Sequence, residues 1–230
     1  MTSIAVIIPA LNESQSIGYV IDAIPKLVSK IIVVDNGSTD LTPEIVKNKG
    51  AVLLNESKKG YGFACLKGMD YLKTNPPDIV VFLDGDFSDF PDDLDKIIAP
   101  IVDDKIDFVI GSRTKKLREP GSLTPQQIFG NGLACFLMRI LYNSTFTDLG
   151  PFRAIRWKEL IDLEMQDKTY GWTVEMQLKV LRRKLSYIEV PVCYRKRIGR
   201  SKVSGTFKGT VMAGYKILTW IGKFYFSKWK

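Results

Sequence analysis

Ile79-Val80-Val81-Phe82-Leu83-Asp84-Gly85-Asp86 is the stretch on which the reading turns. Five apolar residues, the first three β-branched, read as a buried strand. The strand runs straight into Asp-x-Asp. In an open α/β sheet, ligands bind outside the carboxyl ends of the strands. Asp84 and Asp86 therefore stand where a small ligand would sit, and Gly85 between them leaves it room. Paired hard oxygens suit Mg²⁺ or Mn²⁺, metals usually shared with substrate phosphates. Asp-x-Asp alone also fits a strand end followed by a turn, so the flanking chain has to decide.

Outward from that stretch, strands and helices alternate. Ile4 to Ile8 reads as the first strand and Pro9-Ala10-Leu11-Asn12-Glu13 as its loop. Ser14 or Ser16 can cap a helix whose apolar residues Ile17, Val20, Ile21 and Ile24 have helical spacing. Ile31 to Val34 is a second strand, ending in Asp35-Asn36-Gly37-Ser38-Thr39-Asp40, and Thr42-Pro43-Glu44 opens the next helix. Ala51 to Leu54 is a third strand, and Lys58-Lys59-Gly60-Tyr61-Gly62 leads into a helix through Leu72. Beyond Asp86, Pro91 to Val102 reads as helix, Asp107 to Ile110 as strand, Pro125 to Tyr142 as a long helix and Tyr187 to Val192 as a strand. This alternation predicts an α/β fold with a mostly parallel, doubly wound sheet flanked by helices.

The bulk numbers agree. A chain of 230 residues with 45% apolar content fills one domain with a real core. No repeat or low-complexity linker divides it, so residues 1–205 are expected to form the domain and 206–230 a C-terminal helix. Cys65, Cys135 and Cys193 have no metal spacing and fit reduced thiols in a cytosol-like compartment. The first residues lack a basic leader and read as strand, not signal peptide. The absence of histidine excludes a Ser-His-Asp triad, a Cys-His pair and His-ligated zinc, so proton transfer would fall to Asp, Glu, Lys or Tyr. A net charge of +8 points to an anionic partner. No stacking-aromatic motif accompanies the basic loop 194–202, which argues against nucleic acid.

From Phe207 to Tyr225 the chain is apolar but carries Lys208, Lys216 and Lys223, which fall within roughly 80° of one another on a helix. The lysines argue against a spanning segment. A basic face flanked by Trp220 and Trp229 suits a helix lying in the membrane interface, and equally one docked on the domain with its lysines in water.

Three predicted strand ends carry acidic or polar loops: Asn12-Glu13, Asp35-Asn36 and Asp84-Asp86. In a parallel sheet they share one rim. Asp35 can accept N–H bonds from a nucleobase edge, of uracil or guanine alike. Asp84 and Asp86 suit sugar hydroxyls and a metal on a diphosphate. Lys58, Lys59 and the Gly60-x-Gly62 turn can approach phosphates.

With these residues in place, the sequence resembles the family 2 glycosyltransferases of the GT-A fold, through Pro9 to Glu13, Val34 to Asp40, Lys59 to Gly62 and Asp84-Gly85-Asp86. The resemblance implies an inverting transferase that uses a nucleotide-diphosphate sugar and Mg²⁺ or Mn²⁺, a UDP-sugar being favoured and GDP-mannose the other candidate. It implies Pro9, Ala10, Asn12, Glu13, Asp35, Asn36, Gly37, Lys59 and Gly60 around the nucleotide and Asp84, Gly85 and Asp86 at the ribose, diphosphate and metal, with Asp86 the metal ligand. Asn36 departs from the pattern, which often has a second Asp there.

The second half looks like the branch that makes polyprenyl- or dolichyl-phosphate sugars, through Gly111-Ser112-Arg113, Gly150-Pro151-Phe152-Arg153, Glu175 and Arg197-x-Gly199-x-Ser201-Lys202. Pro151 interrupts the usual Gly-Phe-Arg run, and Asp148 sits closer to it than the branch's Asp. The two membrane spans of some relatives have no counterpart, so only the C-terminal helix is expected to meet lipid. A phosphate acceptor is already a nucleophile at neutral pH and needs cations, for which Arg113, Arg153, Arg197 and Lys202 are the candidates. A hydroxyl acceptor would need a base, Glu175 or Asp148. Asp84, Asp86, Arg153 and Glu175 are the expected catalytic groups. The expected activity is hexose transfer to polyprenyl phosphate at the cytoplasmic face, by a peripheral enzyme. A transferase to a soluble or lipid hydroxyl, and a nucleotide-sugar-binding protein without turnover, are the alternatives.

Overall fold

The computed structural model describes residues 2–199 and 207–227. Strands β1 (Ile4–Ala10), β2 (Lys30–Asp35), β3 (Val52–Asn55), β4 (Ile79–Phe82), β5 (Phe108–Ser112), β6 (Arg153–Arg156) and β7 (Tyr187–Pro191) form one sheet in the order β3-β2-β1-β4-β6-β5-β7. All pairings are parallel except those of β6, which runs antiparallel to β4 and β5. Helices α1 (Ile17–Ala23), α2 (Thr42–Asn48), α3 (Tyr61–Leu72), α4 (Leu94–Val102), α5 (Pro125–Tyr142), α6 (Trp157–Asp162), α7 (Trp172–Arg182) and α8 (Phe207–Phe226) complete the chain.

Strands β1, β2, β4 and β5 are near-continuous apolar runs because both faces of the sheet are covered. In β4 and the residue after it, Val80 and Phe82 face a core built with α3, α5, α7 and α8, while Ile79, Val81 and Leu83 face one built with α1, α2 and α4. Phe82 meets Trp172 edge to face with ring centroids 5.8 Å apart, and its loss would cost about 3–5 kcal/mol. The apolar stripe read for α1 is realised, with Ile17, Val20 and Ile21 buried. Helix α5 spans the predicted residues and is stopped at both ends. Thr124 and Gln127 form a reciprocal capping box, and Asn143 ends the helix in a left-handed conformation.

Two features depart from the sequence reading. The segment Pro91–Val102 is not one helix but a 3₁₀ turn, Pro91–Asp93, followed by α4. Strand β6 was not expected, since Arg153-Ala154-Ile155-Arg156 has only two apolar residues and no alternation. Being antiparallel, β6 begins at the rim where the parallel strands end, and so delivers the loop 148–152 there.

Helix α8 packs against α5 and α7. Ile221 and Phe224 are buried, Trp220 Nε1 donates to Asp167 Oδ2 at 2.6 Å, and Tyr142 Oη donates to the Ile221 carbonyl at 2.5 Å. Lys216 is not left to water but pairs with Asp167 at 3.2 Å, and Lys223 lies 5.9 Å from the Trp220 ring centroid. The opposite side of α8, with Val211, Tyr215 and Leu218, stays exposed beside Phe129, Phe136 and Ile140 of α5. Trp229 falls outside the described residues. No described helix is long and apolar enough to cross a membrane.

Candidate active site

The rim carries the acidic loops side by side. Ala10 pairs with Asp35 across β1 and β2, and Ile7 with Phe82 across β1 and β4, so Glu13, Asp35 and Asp84 leave neighbouring strands at one edge. Pro9 and Ala10 belong to β1 itself, and the Pro9 carbonyl packs on Gly85, where an added Cβ would lie 3.4 Å from it.

The loop after β2 is built by its own side chains. The Asp35 carboxylate accepts from Ser38 N at 3.1 Å, a turn closed by Gly37 at φ +89°. Asn12, itself at φ +54°, accepts from Thr39 N at 2.7 Å through its side chain, while its N–H donates to Ser38 Oγ. Asn36 is buried. Its Nδ2 donates to the carbonyls of Glu56 and Lys58 at 2.9 and 2.8 Å, and its Oδ1 accepts from Gly60 N at 2.7 Å. The side-chain amide of Asn36, expected at the nucleoside, holds the 56–60 segment to β2. Two donors aimed at two carbonyls explain an amide here, where a carboxylate has none to give. Lys59 is exposed, and Gly60 packs so closely that a Cβ would lie 2.2 Å from the Lys168 carbonyl.

Three carboxylates crowd the loop after β4. Asp86 Oδ1 accepts from Ser88 N at 2.9 Å and from Ser88 Oγ at 2.5 Å. Asp86 Oδ2 pairs with Arg197 Nη1 at 3.0 Å, and Arg197 Nη2 reaches Glu13 Oε1 at 3.0 Å, so one guanidinium bridges β1 and β4. Asp84 Oδ1 is buried without a hydrogen-bond partner among the described residues. Burial, and then the charge of Asp86, push the Asp84 carboxyl up to about 7. Asp89 is also buried, and its carboxyl is raised well above the ordinary range by burial and by Asp84 and Asp86. No group of three or more acidic or thiol side chains among the described residues is arranged to hold a metal ion. Two hard carboxylates, one with an orphaned buried oxygen, fit Mg²⁺ or Mn²⁺ that takes its remaining ligands from a diphosphate and water.

The groups offered for the acceptor are arranged differently from expectation. Arg113 is locked onto Asp148 through Nε and Nη2 at 2.9 and 2.6 Å, and its ring neighbour is Tyr194 at 5.2 Å. Burial opposes the charge of Asp148, yet Arg113 outweighs it and holds the carboxyl below its ordinary value. Arg153 has no accessible surface and donates to the carbonyls of Leu149, Gly150 and Thr173, with burial drawing it down to about 10. Glu175 is equally buried, accepting from Gln166 N and Asp167 N at 2.8 and 2.7 Å and pairing with Lys179 at 2.8 Å. Arg153 and Glu175, expected to act on substrate, are both buried and engaged inside the fold. Lys202 lies outside the described residues.

Several groups at the site escaped the sequence reading. Tyr61, the first residue of α3, is half-buried, with its phenol oxygen buried against Asp84. Asp89 and Ser88 are visible only as the continuation of Asp84-x-Asp86 into a Pro-terminated loop. Asp167 carries no motif, yet it joins Gly171 N, Trp220 and Lys216 to the loop that packs on α3.

Residues 5–163 match the family model described as Glycosyl transferase family 2. The chain is 32% identical over 220 residues to a dolichyl-phosphate hexose transferase of Haloferax volcanii, covering 94% of this chain and 92% of that protein. It is 31% identical over 223 residues to an undecaprenyl-phosphate mannosyltransferase of Micrococcus luteus, covering 88% of each. A crystal structure of glucosyl-3-phosphoglycerate synthase from Mycobacterium tuberculosis with Mn²⁺, UDP and phosphoglyceric acid superposes with a TM-score of 0.79 at 21% identity, over 98% of this chain and 79% of that one. That likeness gives the shared GT-A fold. Fold, rim and family match together make the chain a member of glycosyl transferase family 2.

Proposed function

We propose that the protein transfers a hexose from a nucleotide-diphosphate sugar, a UDP-sugar by preference, to a polyprenyl-type phosphate. The observation that carries the choice of acceptor is the state of the two candidate bases. Glu175 is held by Lys179 and two amides, and Asp148 is held by Arg113. A hydroxyl acceptor would need one of them to take its proton. A phosphate monoester is anionic at neutral pH and needs only to be bound and aligned. The names of the relatives from Haloferax volcanii and Micrococcus luteus support the same acceptor class.

In this reading Asp35 accepts from the nucleobase edge, and Lys59 and the Gly60 turn lie along the phosphates. Asp84 and Asp86 would hold Mg²⁺ or Mn²⁺, which supplies positive charge for the leaving diphosphate. Arg197, which bridges Glu13 and Asp86 at the acidic rim, is the cation we assign to the acceptor phosphate, which would take the place of one of those carboxylates as its partner. Arg113, with its charge set by Asp148, orders the adjacent loop.

The exposed apolar side of α5 and α8 is the surface we assign to the membrane. Between the helices runs a groove of about 500 Å³ lined by Pro125, Phe129, Leu133, Gly214, Ile217 and Leu218. Aromatic and aliphatic residues beside lysines suit the interface of an anionic bilayer. The enzyme would then work as a peripheral protein at the cytoplasmic face.

The test is transfer of radiolabelled sugar from UDP-glucose, UDP-GlcNAc and GDP-mannose into organic-extractable lipid, with polyprenyl phosphate and Mn²⁺ or with chelator. Metal-dependent labelling from one donor supports the reading. Donor hydrolysis without lipid labelling refutes the acceptor and leaves the metal site standing. Flotation with phosphatidylglycerol vesicles tests the surface: Phe129→Glu with Leu218→Glu should abolish binding, and unchanged flotation refutes it.

A further inference from the structure

Phe87, between Asp86 and Ser88, has φ +60°. A side chain in the left-handed region is unfavourable and persists only where the surroundings hold it there. Here the surroundings can be named. The Arg195 guanidinium lies 3.7 Å from the Phe87 ring centroid and 3.6 Å from that of Phe90, a cation between two rings that flank Ser88 and Asp89. Tyr19 meets Phe87 with ring centroids 5.7 Å apart. Arg195 Nε is buried without a hydrogen-bond partner among the described residues, while Nη2 donates to the Asp89 carbonyl at 3.4 Å, so the group holds this loop through both faces and one long edge contact. The main chain repeats the attachment: Arg195 N donates to the Ser88 carbonyl at 2.9 Å and Ile198 N to the Asp86 carbonyl at 3.0 Å.

The conformation of Phe87 matters because of what its neighbours hold. Ser88 N and Oγ both bond Asp86 Oδ1 and fix how that carboxylate is turned. If Phe87 relaxed to negative φ, the peptide leading to Ser88 would rotate and both donors would leave Asp86.

We propose that Arg195 is a positioning residue for the metal-holding carboxylate, clamping Phe87 in its left-handed conformation so that Asp86 faces the rim. The assignment rests on the reading of Asp86 as a metal ligand. It concerns a residue to which the proposed function gives no part in holding metal or sugar.

The test is Mn²⁺ binding to the full chain in the presence of UDP, followed by electron paramagnetic resonance below the melting temperature of every variant. Asp86→Asn should abolish site binding. Arg195→Ala should weaken it by about tenfold. Arg195→Lys should recover part of the loss, since an ammonium keeps attraction to the rings but not planar stacking. In a Phe87→Gly background, where glycine adopts positive φ freely, adding Arg195→Ala should cost no more than about twofold. Amide exchange across residues 84–90 should quicken in Arg195→Ala and not in the double variant. Asp86-dependent binding that is equally tight in Arg195→Ala overturns the proposal alone. A tenfold loss that persists undiminished in the glycine background also overturns it. Absence of Asp86-dependent Mn²⁺ binding in the parent protein overturns the metal reading and the proposal with it.

Discussion

Gly62 sets two physical effects against each other. It lies in the first turn of α3, where alanine would ordinarily stabilise a helix by about 1 kcal/mol over glycine. A Cβ there, however, would sit 2.0 Å from the Asp167 carbonyl oxygen and 2.8 Å from the carbonyl carbons of Asp167 and Lys168. Ordinary C···O contact is about 3.3 Å or more, so the 167–168 backbone must retreat by more than an ångström. It is not free to do so. Lys168 O accepts from Phe63 N at 3.1 Å, and the Asp167 carboxylate holds Gly171 N, Trp220 and Lys216. Forced overpacking costs about 1–3 kcal/mol, and a broken buried hydrogen bond about 1 kcal/mol more. After the helix-propensity gain, Gly62→Ala should destabilise by about 1–3 kcal/mol, or a fall in Tm of about 2–12 °C for a domain of this size. The assay is guanidinium unfolding beside Gly132→Ala, an exposed α5 position with nothing within 4 Å of the added Cβ, which should be stabilised by about 0.5–1 kcal/mol. If Gly62→Ala gains stability as Gly132→Ala does, the close packing of the 167–168 loop on α3 is refuted.

Other expectations follow from the same site. Asp84→Asn should raise stability in a pH-dependent way. The folded carboxyl near 7 keeps its proton where the unfolded one, near 3.9, has lost it, so the parent loses stability as pH rises from about 4 to about 7. That window corresponds to at most about 4 kcal/mol, reduced to about 2 kcal/mol because Asp84 keeps partial solvent contact; thermal melts should show the gain at pH 8 and none at pH 4, and a pH-independent difference would sink the idea. Asn36→Asp should lower stability by about 2–4 kcal/mol by facing an acceptor toward the Glu56 and Lys58 carbonyls; an unchanged melt would show that the amide is dispensable. Truncation after residue 206 should uncover the sites of Ile221 and Phe224 and cost about 4 kcal/mol, read as a Tm drop of about 8–16 °C; a truncated protein that melts like the parent would mean α8 is only an anchor.

The strands and their carboxyl-end loops were legible because burial on both faces writes itself as unbroken apolar runs, and the rim then follows from parallel order. The same reasoning placed Asp84 and Asp86 on that rim. It could not find β6, whose Arg153 is a buried cation held by three carbonyls, a use of arginine that no pattern announces. Glu175 was read as a chemical group, while its partner Lys179 stands one helical turn on, at the spacing of an ordinary ion pair. Asn36 looked like a weakened nucleoside contact until the carbonyls it serves, twenty residues away in sequence, were in view. The Arg195 clamp needs two rings and a left-handed peptide, none of which has a sequence signature.

The position of β6 also bears on how the protein is made. β4 and β5 share no hydrogen bonds; both wait for the strand that lies between them, which leaves the ribosome last of the three. At roughly 5–20 residues per second, the Ile79–Phe82 edge of the half-built sheet stands unpaired for roughly 4–15 s before residues 153–156 emerge. An uncovered apolar strand edge is the part of a nascent sheet most apt to pair with another chain. Slow codons or pauses between residues 83 and 152 would therefore lower the yield of soluble protein, and a chaperone that shields extended apolar chain would raise it.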